Sequence, residues 1–454
     1  MNTTNDLTTG SVVSKLLRFF FPMLLTNLLQ QVYSVTDTAI VGKGLGDNAL
    51  GAVGNLSSLS FLIIGFSMGM SNGFAVIIAQ NYGAGKMDAV KKAVASAVKL
   101  AAALIAILTA TACLFLRPIL ILLQTDELIL DDSLRYGYII FGGLAATVAY
   151  NLCAGILRAV GDSKTPFKAI MVSSVINIAL DSLFIFGFHT GVEGAAIATV
   201  IAQVISTVIC FLRIRRIPEL RVERKDFARD TAMSLLLLKN GIPMACMNSI
   251  TAVGVMVVQG YVNGRGVMYT SAYSVCSRYI NLFMLPALTA GVAASPFVSQ
   301  NFGAGKKERI RQGVLVCSGI ALISYVVLGT VMVVFSKQLG GLMLNDSATI
   351  ALTAQYLRIC GVFLIFLNLL FVFRNAVLGM GYPFLPMISG ILEMSLRIPV
   401  IMILLPRTGF RATGFAEVAA WTGAMTLNVT AFIVYFRKMG TENAKREAAV
   451  SSNG

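Results

Sequence analysis

Apolar runs of the length a helix needs to cross a hydrocarbon layer, about 20 residues, recur along the whole chain. LAAALIAILTATACLFL (100–116) and ISYVVLGTVMVVF (323–335) are examples. Polar and charged residues collect between the runs. The pattern predicts twelve spans, at about 14–42, 49–79, 93–116, 134–159, 173–187, 194–212, 240–262, 271–298, 312–336, 353–378, 384–405 and 412–436. A membrane β-barrel would show short alternating segments instead. The fold class expected is an all-α integral membrane protein.

Composition agrees. The chain is 56% hydrophobic and only 13% charged, against about 25% charged in a soluble domain. The net charge of +15 would suit a nucleic-acid binder, but Lys and Arg sit mainly in alternate loops, the positive-inside pattern. That places both termini in the cytoplasm and the acidic loop QTDELILDDS (124–133) outside, in a cytoplasmic (inner) membrane. Arg407 and Arg411 fall outside, a local exception. No charged segment precedes the first span, so no cleaved signal peptide is expected. The seven cysteines lie in or beside apolar spans without CxxC spacing, which predicts neither disulfides nor a zinc site.

The two halves repeat. AQNYGAGK (79–86) recurs as SQNFGAGK (299–306), 220 residues later. The same offset takes Gly161 to Gly381 and Pro166 to Pro386, and an offset of 221 takes Pro22-Met23 to Pro243-Met244. Six spans per half return the chain to the same side, so the repeats are parallel and give two pseudo-symmetric six-helix bundles. The expected organisation is a loose polar segment at 1–13, an N-lobe at 14–216 and a cytoplasmic linker at 217–233, followed by a C-lobe at 234–438 and a disordered tail at 439–454. The linker region RIRRIPELRVERKDFARD (213–230) reads as an interfacial amphipathic segment near anionic lipid.

Three polar side chains stand out at membrane depth: Asp37, Asn177 and Asp181. Asn177 and Asp181 are four apart and share a helix face. An intramembrane carboxylate costs about 2.5–3.5 kcal/mol on insertion scales, so it faces a partner or a polar cavity. Either the three bind a small cation, H+ or Na+, or they form a polar cluster that pins helices together. The repeat does not preserve them: Asp37 maps to Val258, Asp181 to Ile401 and Asn177 to Arg397. Asn27, Gln30, Tyr33 and Gln203 are candidates for a substrate cavity, and Pro22 for a hinge in the first span. Glu393 and Arg397 are candidates too, but their i,i+4 spacing also suits a structural or gating ion pair. Arg358 and Arg374 lie near span ends, where such side chains snorkel.

The motifs together, TDTAIVG closing a polar first helix, the doubled QN(Y/F)GAGK loop, RAVGD and NIALDSLFIFG, resemble the MATE (multidrug and toxic compound extrusion) family over about 14–438. The resemblance implies two six-helix lobes and efflux of drugs or metabolites against an inward H+ or Na+ gradient. The cation site of DinF-like members implies roles for Asp37, Asn177, Asp181 and Thr199, with Asn151 bordering it. Members similar to the NorM branch also use acids on the first and fourth helices of the second lobe; this chain has none at 240–262 or 353–378.

The expected function is therefore a multidrug antiporter exporting amphipathic or cationic compounds by alternating access. The alternative is a related flippase for a lipid-linked precursor, which would want basic residues in its cleft where the first half offers acids. An enzyme is not expected, since no HExxH occurs and the single His189 lies in a loop. The expected partners are small-molecule substrates and the bilayer, not nucleic acid. A monomer is expected, with no cofactor and no metal beyond Na+ at Asp37, Asn177, Asp181 and Thr199.

Overall fold

The computed structural model describes residues 6–122 and 125–451. These are helical almost throughout. The first bundle comprises α1 (Val12–Leu45), α2 (Asp47–Gly83), α3 (Met87–Leu122), α4 (Glu127–Gly142), α5 (Leu144–Ala159), α6 (Lys164–Ser182) and α7 (Gly191–Arg215). The remaining helices are α8 (Thr231–Asn263), α9 (Val267–Phe283), α10 (Leu285–Gly303), α11 (Lys307–Ser324), α12 (Thr330–Val334), α13 (Ser336–Gly341), α14 (Ser347–Gly379), α15 (Phe384–Thr408) and α16 (Arg411–Ser451). Ten helices, α11 and α12 counting as one, are long and apolar enough to span a membrane; two bent pairs, α4–α5 at 43° and α9–α10 at 44°, bring the number to twelve. The bends fall at Gly142–Gly143 and just before Pro286, where glycine pairs and proline weaken a helix.

Why the repeated loop is repeated is visible in its backbone. Gly85 and Gly305 have φ of 73° and 71°, which L side chains resist. In each copy the asparagine side chain donates to the carbonyl four residues back: Asn81 to Ile77 at 2.9 Å and Asn301 to Phe297 at 2.8 Å. The following lysine N–H returns to that asparagine's carbonyl, at 3.0 Å for Lys86 and 2.9 Å for Lys306. The motif is a helix-terminating turn.

Two compact units emerge. Among the described residues, unit 1 holds Asp6 and 21–245, and unit 2 holds 7–20 and 246–451. Unit 1 packs around Phe74, Ile78, Val94 and Leu157. Unit 2 packs around Tyr273, Tyr356, Leu364 and Trp421. The chain thus passes from unit 2 to unit 1 within α1, next to Pro22, and back again within α8, next to Pro243. Both helices run through their prolines; the Thr26 hydroxyl donates to the Pro22 carbonyl at 2.8 Å.

Four expectations meet a different arrangement. The N-terminal segment is not loose from Leu7 onward. Leu7 is fully buried, its N–H donates to Gln300 Oε1 at 3.0 Å, and Asn301 Nδ2 donates to its carbonyl. Lys306 donates to the Thr8 carbonyl, and Arg309 to the carbonyls of Leu7, Thr9 and Gly10. In the linker, Ile217 and Leu220 turn into the unit 1 core rather than toward lipid, and Lys99 donates to the carbonyls of Phe227 and Ala228. Arg374 does not snorkel: it is buried with Glu393 as partner. The tail read as disordered from 439 is helical to Ser451, in keeping with the Ala, Glu, Lys and Arg content of TENAKREAAVS; residues 452–454 lie outside the described residues.

Candidate functional site

The site is built from four helices of unit 1. On α6, Asn177 and Asp181 are both fully buried. One turn apart, they point the same way, and the helix widens into a π-turn at Leu183–Gly187 just beyond them. Such turns concentrate at functional sites because the extra residue re-aims the preceding side chains. With its amide oriented so that donors meet acceptors, Asn177 Nδ2 donates to Asp181 Oδ2 at 2.6 Å, and Asn177 Oδ1 accepts from the Thr199 backbone N–H of α7 at 3.2 Å.

From α1, Asp37 brings its carboxyl within hydrogen-bonding reach of the Asp181 carboxyl. Tyr33, one turn earlier, reaches the Thr199 side chain. Tyr136 of α4 lies in the field of Asp37, Asp181 and Tyr33. Asp37 Oδ1 and Asp181 Oδ1 are buried with no hydrogen-bond partner. Among the described residues neither acid has a Lys or Arg within ion-pair distance. Two carboxylates in contact without a basic neighbour repel. A proton or a cation between them would offset that repulsion, and hard cations favour such oxygen donors.

The sequence candidates therefore divide. Asp37, Asn177, Asp181, Thr199 and Tyr33 come together. Asn151 on α5 and Gln203 on α7 each bury a polar atom without a partner, Nδ2 and Oε1 respectively. Asn27 is half-buried and Gln30 exposed. Tyr136 escaped sequence reading, since a lone tyrosine beside an acidic loop carries no signal.

Glu393 and Arg397 belong to unit 2 and are not a pair by themselves. Arg374 of α14 holds Glu393 Oε1 and also donates to Ser389 Oγ at 3.2 Å. Arg397 Nη2 bonds Glu417 Oε2 of α16 at 2.9 Å and approaches Glu393 only to 3.9 Å. All four are buried, so Glu393 and Arg397 sit in a charge-balanced network, in which Arg374 Nε and Arg397 Nε and Nη1 have no hydrogen-bond partner among the described residues. Glu417 was overlooked although it is the only acid in 412–436.

The MatE family model matches the chain twice, over residues 22–183 and 243–403. The chain belongs to the MatE family. The two matched stretches are offset by 221 residues at their starts and 220 at their ends, the spacing of the repeated loops. Over 352 residues the chain is 33% identical to a probable multidrug resistance protein, YoeA of Bacillus subtilis (strain 168), with 75% of each covered. It is 27% identical over 248 residues to DNA damage-inducible protein F of Escherichia coli (strain K12), covering 51% of this chain and 53% of that one. A crystal structure of MATE in the bent conformation matches with a TM-score of 0.91 at 20% identity, covering 98% of this chain and 100% of that one. As a MatE member the chain is a multi-pass membrane transporter and not an enzyme, akin to multidrug efflux proteins.

Proposed function

We propose that the chain is a secondary active antiporter that exports amphipathic or cationic compounds in exchange for H+ or Na+, with Asp37 and Asp181 as the coupling acids. The observation that carries the reading is the contact between these two carboxyls, each with one buried oxygen left unpartnered. The YoeA relative, a probable multidrug resistance protein, supports the substrate class.

The chemistry follows from the geometry. A cation bound between the acids neutralises the repulsion between α1 and α6 and draws the two helices together. Asn177 fixes Asp181 through Oδ2, leaving Oδ1 to the ion, while Thr199 and Tyr33 tie α1 to α7. A carrier needs states of different affinity, because a ligand shifts an equilibrium only by that difference. The α1 segment beyond Pro22 is the element the ion moves, and its shift changes the space available to a drug in unit 1. Loss of the ion to the cytoplasm resets the cycle. The protein acts as a monomer in the inner membrane with both termini in the cytoplasm.

The test is gradient-driven efflux of a panel of fluorescent cations from reconstituted vesicles, with either an H+ or a Na+ gradient imposed. Asp37→Asn and Asp181→Asn should each abolish coupled efflux while the protein still folds, and Glu393→Gln should be milder. Wild-type export by both Asp variants, with gradient dependence intact, would remove the acid pair from the mechanism.

A further inference from the structure

The repeat allows the two units to be compared position by position. In unit 1 the far end of α1 is packed shut against the π-turn after α6. A Cβ built on Gly44 would lie 2.4 Å from Ile185 Cγ2 and 3.0 Å from Phe186 Cε1. The offsets of 221 and 220 carry Gly44 to Arg265, and Ile185 and Phe186 to Leu405 and Pro406. In unit 2 Arg265 and Pro406 are exposed, while Leu405 is buried. They border a cavity of about 350 Å³ between the ends of α8 and α15, with Gly260, Tyr261 and Gly264 on its α8 side. That volume is within the range of small-ligand pockets, roughly 300–1,000 Å³.

The cavity exists because two glycines four residues apart leave a helix face bare. Nothing lies within 4 Å of a Cβ built on Gly260, and only backbone carbonyls of α8 itself come near one on Gly264. Glycines at this spacing usually let another helix approach closely; here, among the described residues, no helix takes the space. The wall toward α15 is apolar, formed by Leu405, Pro406 and Ile401, the last standing where unit 1 has Asp181.

The polar groups at the mouth have one sign. Arg265 lines the cavity, and among the described residues no acid lies within ion-pair distance of it. Tyr261 adds a phenol. The last turn of α15 and the first residue of α16 carry Arg407 and Arg411, both exposed, and the Tyr269 and Phe410 rings, 5.3 Å apart, bring the connection between these helices against the start of α9. These arginines are the local exception to the positive-inside pattern. A guanidinium offers a planar fork matched to carboxylate and phosphate.

We propose that this cavity in unit 2 is a binding site for an amphipathic anion, an apolar body ending in a carboxylate or phosphate, with Arg265 holding the anionic end. The site is separate from the acid pair of unit 1 and does not depend on the coupling reading.

The test is direct binding. Full-length protein in neutral detergent is titrated with dansyl-undecanoate and with its methyl ester, following dansyl fluorescence. The acid should bind at least about tenfold more tightly, the scale of one charge-assisted hydrogen bond. Arg265→Gln should erase that preference and keep the ester's affinity. Gly264→Leu, which fills the cavity, should weaken both ligands. Asp37→Asn should bind like wild type, which separates this site from the one in unit 1. Equal affinity for acid and ester, or an undiminished preference in Arg265→Gln, overturns the proposal; because Arg265 is exposed, that variant folds even if Gly264→Leu does not. Competition by phosphatidylglycerol but not phosphatidylcholine identifies a membrane lipid as the occupant. Competition by neither identifies a free amphipathic anion, and equal competition by both contradicts a charge-selective site.

Discussion

Removing the negative charge of Glu393 probes how unit 2 is held together. Glu393→Gln keeps the side chain's shape and an amide oxygen that can accept from Arg374, but it removes the carboxylate charge and leaves the Arg374 guanidinium without an anion, with neutral Ser389 Oγ at 3.2 Å. The side chains of Arg374 and Glu393 are 7% and 5% exposed, so water cannot take the carboxylate's place. Breaking a buried pair from one side costs about 3–5 kcal/mol, because an uncompensated charge remains. The Arg397–Glu417 bridge at 2.9 Å is untouched, and the 3.9 Å approach of Arg397 to Glu393 is too long for a hydrogen bond. The loss therefore belongs to Arg374. Adding Arg374→Met removes the orphaned charge and should recover most of the stability, with a coupling of about 2–3 kcal/mol in the double-mutant cycle. The assay is equilibrium unfolding in mixed micelles followed by circular dichroism. If Glu393→Gln lies within about 1 kcal/mol of wild type, or the double variant is as unstable as the two single losses added, the network does not hold unit 2.

Arg309→Ala removes three of the hydrogen bonds that hold residues 7–10; a cysteine placed at position 8 should then react with a thiol reagent far faster than in the parent, and unchanged labelling would show that the segment holds without this arginine. Asp346 caps α14 by accepting from the Thr349 N–H at 2.8 Å and hydroxyl at 2.6 Å, which pulls its carboxyl below the ordinary value. Its contribution is present at neutral pH and is lost as pH falls through that lowered value; hydrogen exchange in the first turn of α14 should quicken there and not in Asp346→Asn. Cysteines introduced at 127–132 should label from outside intact cells, and labelling only after permeabilisation would invert the topology.

What could be read from the sequence was whatever repeats or has a period. Asn177 and Asp181 were legible as partners because four residues is one helical turn. The two units were legible because a turn needing positive φ at Gly85 must need it again at Gly305. Arg374 was misread, since an arginine near a span end looks the same whether it reaches water or a glutamate 19 residues away. Glu417 was missed because its partner lies on another helix and no spacing links them. The binding of residues 7–10 was invisible for a related reason: Arg309 grips backbone carbonyls, and a carbonyl has no letter in the sequence.

The placement of residues 7–20 in unit 2 also sets an order of events during synthesis. Unit 1 draws on 21–245, so its parts leave the ribosome consecutively and it can pack as soon as they are inserted. Unit 2 cannot close until Gln300, Asn301 and Arg309 emerge, nearly three hundred residues after Leu7. At typical translation speeds that is a wait of ~15–60 s. A stretch made before residues 21–245 is secured only after them, and a nascent chain stalled anywhere before residue 300 leaves the fully buried Leu7 without its seat.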